Sequence, residues 1–135
     1  MAEPYYYKCE LMGRTGKRGK RDPVVDGDTV DVLTDLGWGV FMSMRLRFAG
    51  INTPESRTRN LGEKALGLAA KEFLSETLAK ADSIEFQSHE RGKYGRVLAT
   101  LYAVTGGKKT NINKLLVREG HAREYDGGKR EPWCP

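Results

Sequence analysis

The chain has 135 residues, with 23 Lys and Arg against 18 Asp and Glu, and 39% of its residues are hydrophobic. That length suits a single domain, taken here as residues 1–135, and the apolar share excludes wholesale disorder. No apolar run approaches the ~18 residues of a membrane span, and Cys9, Cys134, His89 and His121 are too scattered for a zinc site.

Tyr5 to Met12 alternates, with Tyr5, Tyr7, Cys9 and Leu11 on one face, which predicts a strand. Residues 13–21 follow as a basic, glycine-rich loop without periodicity. Its five cations suit a phosphate backbone or plain solvent equally. Residues 22–36 then carry Asp22, Asp26, Asp28, Asp31 and Asp35 with no base. A basic shell around an acidic pocket suits a metal-dependent enzyme acting on a polyanion, although a solvated mixed surface has the same charges. Thr29 to Leu33 reads as a second strand with Val30 and Val32 inward, and residues 35–39 as a turn. Val40 to Ile51 reads as a third strand. Met42, Met44, Leu46 and Phe48 share its core face, and Arg47 lies on the other.

Asn60-Leu61-Gly62-Glu63 has the form of a capping box opening a helix over about 61–80. Strands are predicted at Ile84 to Ser88 and Val97 to Val104, then a helix from Asn111 to Glu119 that stops at Gly120. The tail, 126–135, is Gly- and Pro-rich and reads as irregular, with Trp133 as its anchor. The expected fold is α+β: a five-stranded OB-type barrel, one helix between strands 3 and 4, a second after strand 5, and a core over about 24–125.

Metalloprotease and P-loop spacings are absent. Three segments carry chemistry together. Val25-Asp26-Gly27-Asp28-Thr29-Val30 sets two carboxylates around a glycine, which alone reads as a turn. Arg47-Phe48-Ala49-Gly50-Ile51-Asn52-Thr53-Pro54-Glu55 joins a guanidinium to oxygen donors and a carboxylate. Lys93-Tyr94-Gly95-Arg96 adds a second arginine at the mouth of a strand.

These runs, with Asn113-Lys114-Leu115-Leu116-Val117-Arg118-Glu119-Gly120, resemble the staphylococcal nuclease (thermonuclease-like) family over roughly Val24 to Tyr125. The Leu36-Gly37-Trp38-Gly39-Val40 segment is similar to that of small phage-type or bacterial members. The resemblance implies an OB-type barrel that hydrolyses DNA and RNA phosphodiesters with one calcium ion. It implies Asp28 as a metal-ligating carboxylate, Thr53 as a ligand through its main-chain oxygen, and Asp26 in the outer shell through water. It further implies Arg47 and Arg96 as phosphate-binding arginines and Glu55 as the carboxylate serving the attacking water. Lys93, Tyr94 and Tyr125 match substrate-contacting positions.

Asn52 departs from the pattern, standing where the second ligating carboxylate is expected. Its amide oxygen can ligate calcium but brings no charge, so weaker metal binding is expected. The alternative is a catalytically weakened or inactive nucleic-acid-binding barrel. Expected partners are DNA and RNA, with no membrane, and the expected state is a monomer. The start of the chain has no basic region followed by an apolar stretch. A cytoplasmic location, or the interior of a phage-infected cell, is therefore expected unless a leader was removed.

Overall fold

A computed structural model describes residues 5–91 and 95–133. Among these the elements run, in order, β1 (Tyr7–Leu11), β2 (Thr15–Gly16), β3 (Gly19–Lys20), β4 (Val24–Asp26), β5 (Thr29–Asp35), β6 (Phe41–Phe48) and β7 (Ile51–Asn52). Then come α1 (Leu61–Ala79), β8 (Ser83–Arg91), β9 (Val97–Thr105), β10 (Lys108–Asn111), α2 (Ile112–Arg118) and β11 (Arg123–Glu124).

The long strands pair in a ring. β1 lies antiparallel to both β5 and β8, β5 to β6, and β8 to β9. β6 and β9 complete the circuit in parallel, Leu46 opposite Val97 and Phe48 opposite Ala99. Closure leaves no free edge in the ring, so the architecture is an α+β, OB-like barrel. Its interior is filled by Val30, Val32, Leu46, Phe48, Phe86 and Leu101, all buried. Helix α1 joins this core through Leu74 and Leu78, and α2 through Ile112 and Leu116. No helix among the described residues is long and apolar enough to cross a membrane.

Several elements differ from expectation. The basic stretch 13–21 is a small hairpin, Thr15 opposite Lys20 and Gly16 opposite Gly19. Strands of two to four residues are too short to show a period, which also accounts for β4, β7, β10 and β11. The third strand ends at Phe48, because Gly50 turns the chain at φ +76° before β7. Met42 is exposed and Met44 only half-buried. Both precede the Leu46–Phe48 stretch that pairs with β9; Met44 still packs against the core, while Met42 stays exposed.

The helix boundaries follow their caps. Asn60 Oδ1 accepts from Glu63 N–H at 3.0 Å, as an N-cap should. The reciprocal half of the capping box is missing: Asn60 N–H donates to Thr58 Oγ1, and the Glu63 carboxylate serves another loop. Helix α2 ends at Gly120, φ +80°, where the His121 N–H closes back on the Leu116 carbonyl.

Candidate active site

The acidic turn between β4 and β5 is wedged against α1. A Cβ on Gly27 would stand 2.7 Å from Ala70 Cβ and 3.2 Å from the Thr53 side chain, so glycine is what allows the close approach. The turn delivers two carboxylates to different partners. Asp28 is buried and accepts hydrogen bonds from Thr29 Oγ1 at 2.9 Å and from the Thr53 N–H at 3.1 Å. Arg47 Nη1 lies 3.3 Å from the same Asp28 Oδ2. The β5–β6 register sets this pair, since Thr29 faces Arg47 across the ladder. Asp26 instead accepts from the backbone N–H and the hydroxyl of Ser56.

The segment after β7 carries Glu55 and is braced from two sides. The Glu55 N–H donates to Glu63 Oε2 at 3.0 Å, the contact that replaces the closed capping box. A Cβ on Gly67 of α1 would come within 2.5 Å of the Glu55 carbonyl, so helix and loop backbones touch there. On its solvent side the Glu55 carboxylate accepts from Arg130 Nη1 at 2.8 Å. Arg130 Nη2 also donates to the Thr53 carbonyl at 3.3 Å.

Arg47 is the electrostatic centre. Burial pushes its guanidinium below the ordinary arginine value, opposed by Asp28. Arg96 and Arg130 press in the same direction as burial, and Tyr125 opposes them. Arginine still stays charged at neutral pH. Three guanidiniums therefore share one field beside one buried carboxylate, a setting that attracts a phosphate. Arg47 Nη1 also holds the Phe48 carbonyl at 2.9 Å, which fixes its direction.

Asn113 of α2 locks the neighbouring barrel seam. Its Nδ2 donates to the Ala49 and Ala99 carbonyls at 2.9 and 3.1 Å, and its Oδ1 accepts from Leu101 N–H. Beside it opens a cleft of about 860 Å³ lined by Gly50, Thr100, Lys114, Arg118, Tyr125 and Lys129. Tyr125 donates its hydroxyl to the Gly128 carbonyl at 2.6 Å.

Of the residues singled out in the sequence, Arg47 and Thr53 both bond to Asp28. Asn52 is buried on β7, one residue from Thr53. Glu55 reaches the group through Arg130, and Arg96 acts on Arg47. Asp26 is held apart on Ser56. Lys93 and Tyr94 lie outside the described residues, as does Cys134. Arg130 and Ser56 were not singled out, and Asn113 stood only in a motif run with no role assigned to it. Arg130 sits in a tail without periodicity, and its only signal was a basic pair, Lys129-Arg130, in a Gly- and Pro-rich stretch.

Among the described residues, no three His, Cys, Asp or Glu side chains are grouped to hold a metal. An ion here would rest on the Asp28 carboxylate, the Asn52 amide oxygen and the Thr53 main-chain oxygen. Such a donor set fits a hard cation such as calcium. The Thr53 Oγ1, buried without a hydrogen-bond partner, adds a spare oxygen beside it.

A family model described as "Staphylococcal nuclease homologue" matches residues 45–132. The chain is 34% identical to a micrococcal nuclease of Shigella flexneri over 80% of its own length and 58% of the relative's. It is 27% identical to an uncharacterized endonuclease of Escherichia coli, over 83% of the chain and 63% of the relative. To a thermonuclease of Staphylococcus hyicus it is 33% identical, over 74% of the chain and 54% of the relative. The chain thus spans about half to two thirds of the length of these curated relatives.

Proposed function

This chain belongs to the staphylococcal nuclease family, and we propose on that premise that it is a calcium-dependent nuclease hydrolysing phosphodiester bonds of DNA and RNA. The observation that carries the reading is the Asp28 carboxylate, which holds the Thr53 N–H and the Arg47 guanidinium at one point. It joins the oxygen donors suited to a cation to the arginine suited to a phosphate.

In-line attack of water on a phosphodiester adds negative charge to its non-bridging oxygens. Arg47 and Arg96 bind those oxygens, Arg47 pre-aimed by its bond to the Phe48 carbonyl. Glu55 orients the water and accepts its proton, on a backbone fixed by Glu63 and by the contact with Gly67. Asp28, Asn52 and the Thr53 carbonyl would hold the calcium, with Asp26 acting through water. Bound there, the ion supplies Lewis-acid stabilisation of the same developing charge. Lys93, Tyr94 and Tyr125 complete the proposed substrate contacts.

Two substitutions and a chelator test this. Glu55→Gln should lower kcat by about 10²–10⁴ while leaving DNA binding intact. Arg47→Gln should cost about 10²–10³, and EDTA should abolish product. Cleavage that survives chelation would remove the metal from the mechanism.

A second reading, a barrel that binds nucleic acid without cutting it, draws on two observations. Residue 52 is an amide, and Arg130 occupies the Thr53 carbonyl. That reading expects salt-sensitive retention of DNA and no product at any calcium concentration.

A further inference from the structure

The hairpin β2–β3 is the most concentrated charge on the molecule outside the site. Arg14, Lys17, Arg18, Lys20 and Arg21 are all exposed, and no acid occurs between Leu11 and Arg21. Among the described residues only Arg14 has an ion-pair partner, Asp31 at 3.5 Å. The other four cations form no ion pair among the described residues and repel one another.

The hairpin is nonetheless firmly rooted. Its two ends are tied by the Arg21 N–H to the Arg14 carbonyl at 2.8 Å. Its foot is fixed to β5, since Met12 N–H donates to the Asp31 carbonyl and Asp31 N–H donates to the Pro23 carbonyl. The buried Asp31 carboxylate receives two bonds from Arg45, at 2.8 and 2.9 Å.

That root is close to the phosphate-binding arginines. Asp31 faces Arg45 where Thr29 faces Arg47. The foot therefore stands two residues, about 7 Å, along the strands from Arg47. The hairpin turns at Lys17-Arg18, ahead of Gly19 at φ +97°, and carries no large apolar side chain between Gly13 and Arg21. It can engage a partner through charge and main chain only, which suits regularly spaced phosphates and not the apolar interior of a lipid layer.

We propose that the β2–β3 hairpin is an auxiliary docking arm for the backbone of a polynucleotide. It grips phosphates several nucleotides from the bond held at Arg47 and Arg96, without regard to sequence. The inference rests on the reading that the chain acts on nucleic acid, and it adds that the substrate is a long polymer and not a short fragment.

The test is binding in EDTA, so that catalysis is not needed. Binding of a labelled 20-base-pair DNA duplex is followed by anisotropy from 50 to 200 mM salt. Lys17→Gln/Arg18→Gln is compared with Lys80→Gln/Lys108→Gln, which removes the same charge from exposed positions elsewhere. The hairpin variant should make the log–log salt slope shallower by about 2, with roughly tenfold weaker binding at low salt, while the control stays within twofold of the unsubstituted protein. Both doubles change exposed side chains only, and Lys17→Arg/Arg18→Lys should restore full binding. Equal losses in the two double variants, or none in the hairpin variant, would overturn the arm. So would hairpin-dependent retention on phosphatidylserine vesicles with no effect on DNA. If the duplex binds through the hairpin yet no substrate is ever cut, the proposed hydrolysis fails and the arm stands.

Discussion

Arg130 Nη1 lies 2.8 Å from Glu55 Oε1, and its Nη2 lies 3.3 Å from the Thr53 carbonyl. The C-terminal segment thus places a cation on two groups of the candidate site. The segment is held in place by the Arg123 guanidinium, stacked 3.8 Å over the Trp133 ring, and by its bond to the Pro132 carbonyl. A guanidinium on the Thr53 oxygen opposes a divalent ion at the same atom. Arg130→Gln should therefore tighten calcium binding about two- to fivefold, the scale of a half-exposed ion pair. Calorimetric titration reads this without catalysis, and unchanged or weaker binding would contradict it.

Asn52 is buried, one residue before Thr53, whose N–H bonds the Asp28 carboxylate. Asn52→Asp adds a second buried negative charge, which is unfavourable without a counter-ion and favourable with one. The variant should melt lower than the parent in EDTA and recover in calcium. It should also reach half-maximal rate at a lower calcium concentration. Thermal melts with and without the ion check the first statement, and a rate titration the second.

Gly67 holds helix α1 in backbone contact with the Glu55 loop. Gly67→Ala puts a methyl group where the Glu55 carbonyl lies, and neither backbone can move cheaply. A destabilisation of about 1–3 kcal/mol is expected in urea unfolding, although alanine favours the helix itself. At permissive temperature kcat should fall more than DNA affinity, because the displaced loop carries Glu55 while the arginines stand on other elements.

Burial pushes the Cys9 thiol up to about 12 from an ordinary 9.0, with Glu85 and Glu10 adding to the effect. A raised folded-state pKa means that the native protein keeps its proton after the unfolded chain has lost it. The stability Cys9 contributes is complete below about pH 9 and is lost as pH rises from there toward 12, by up to about 1.4 kcal/mol per unit. Cys9→Ala should flatten the alkaline limb of the stability curve. Alkylation at pH 8.5 should modify Cys9 in the native protein far more slowly than in urea.

The sequence by itself determined the long strands, both helices and the asparagine cap of the first, and it singled out Asp28, Arg47 and Thr53, which the fold brings together. Val30 and Val32 alternate inward on β5, and Asn60 accepts from the Glu63 N–H as the motif requires. These are local matters of period and cap chemistry, which neighbouring residues encode. Tertiary structure alone decided which distant groups meet. The β5–β6 register set Arg47 against Asp28, closure of the barrel through β6 and β9 created the seam that Asn113 locks, and a tail without periodicity brought Arg130 to Glu55. The same holds for Met42, which shares a strand face with Leu46 yet is exposed, because it lies short of the Leu46–Phe48 stretch that pairs with β9. Periodicity assigns a residue to a face. What lies opposite that face depends on chain closure over dozens of residues, and no local pattern records it.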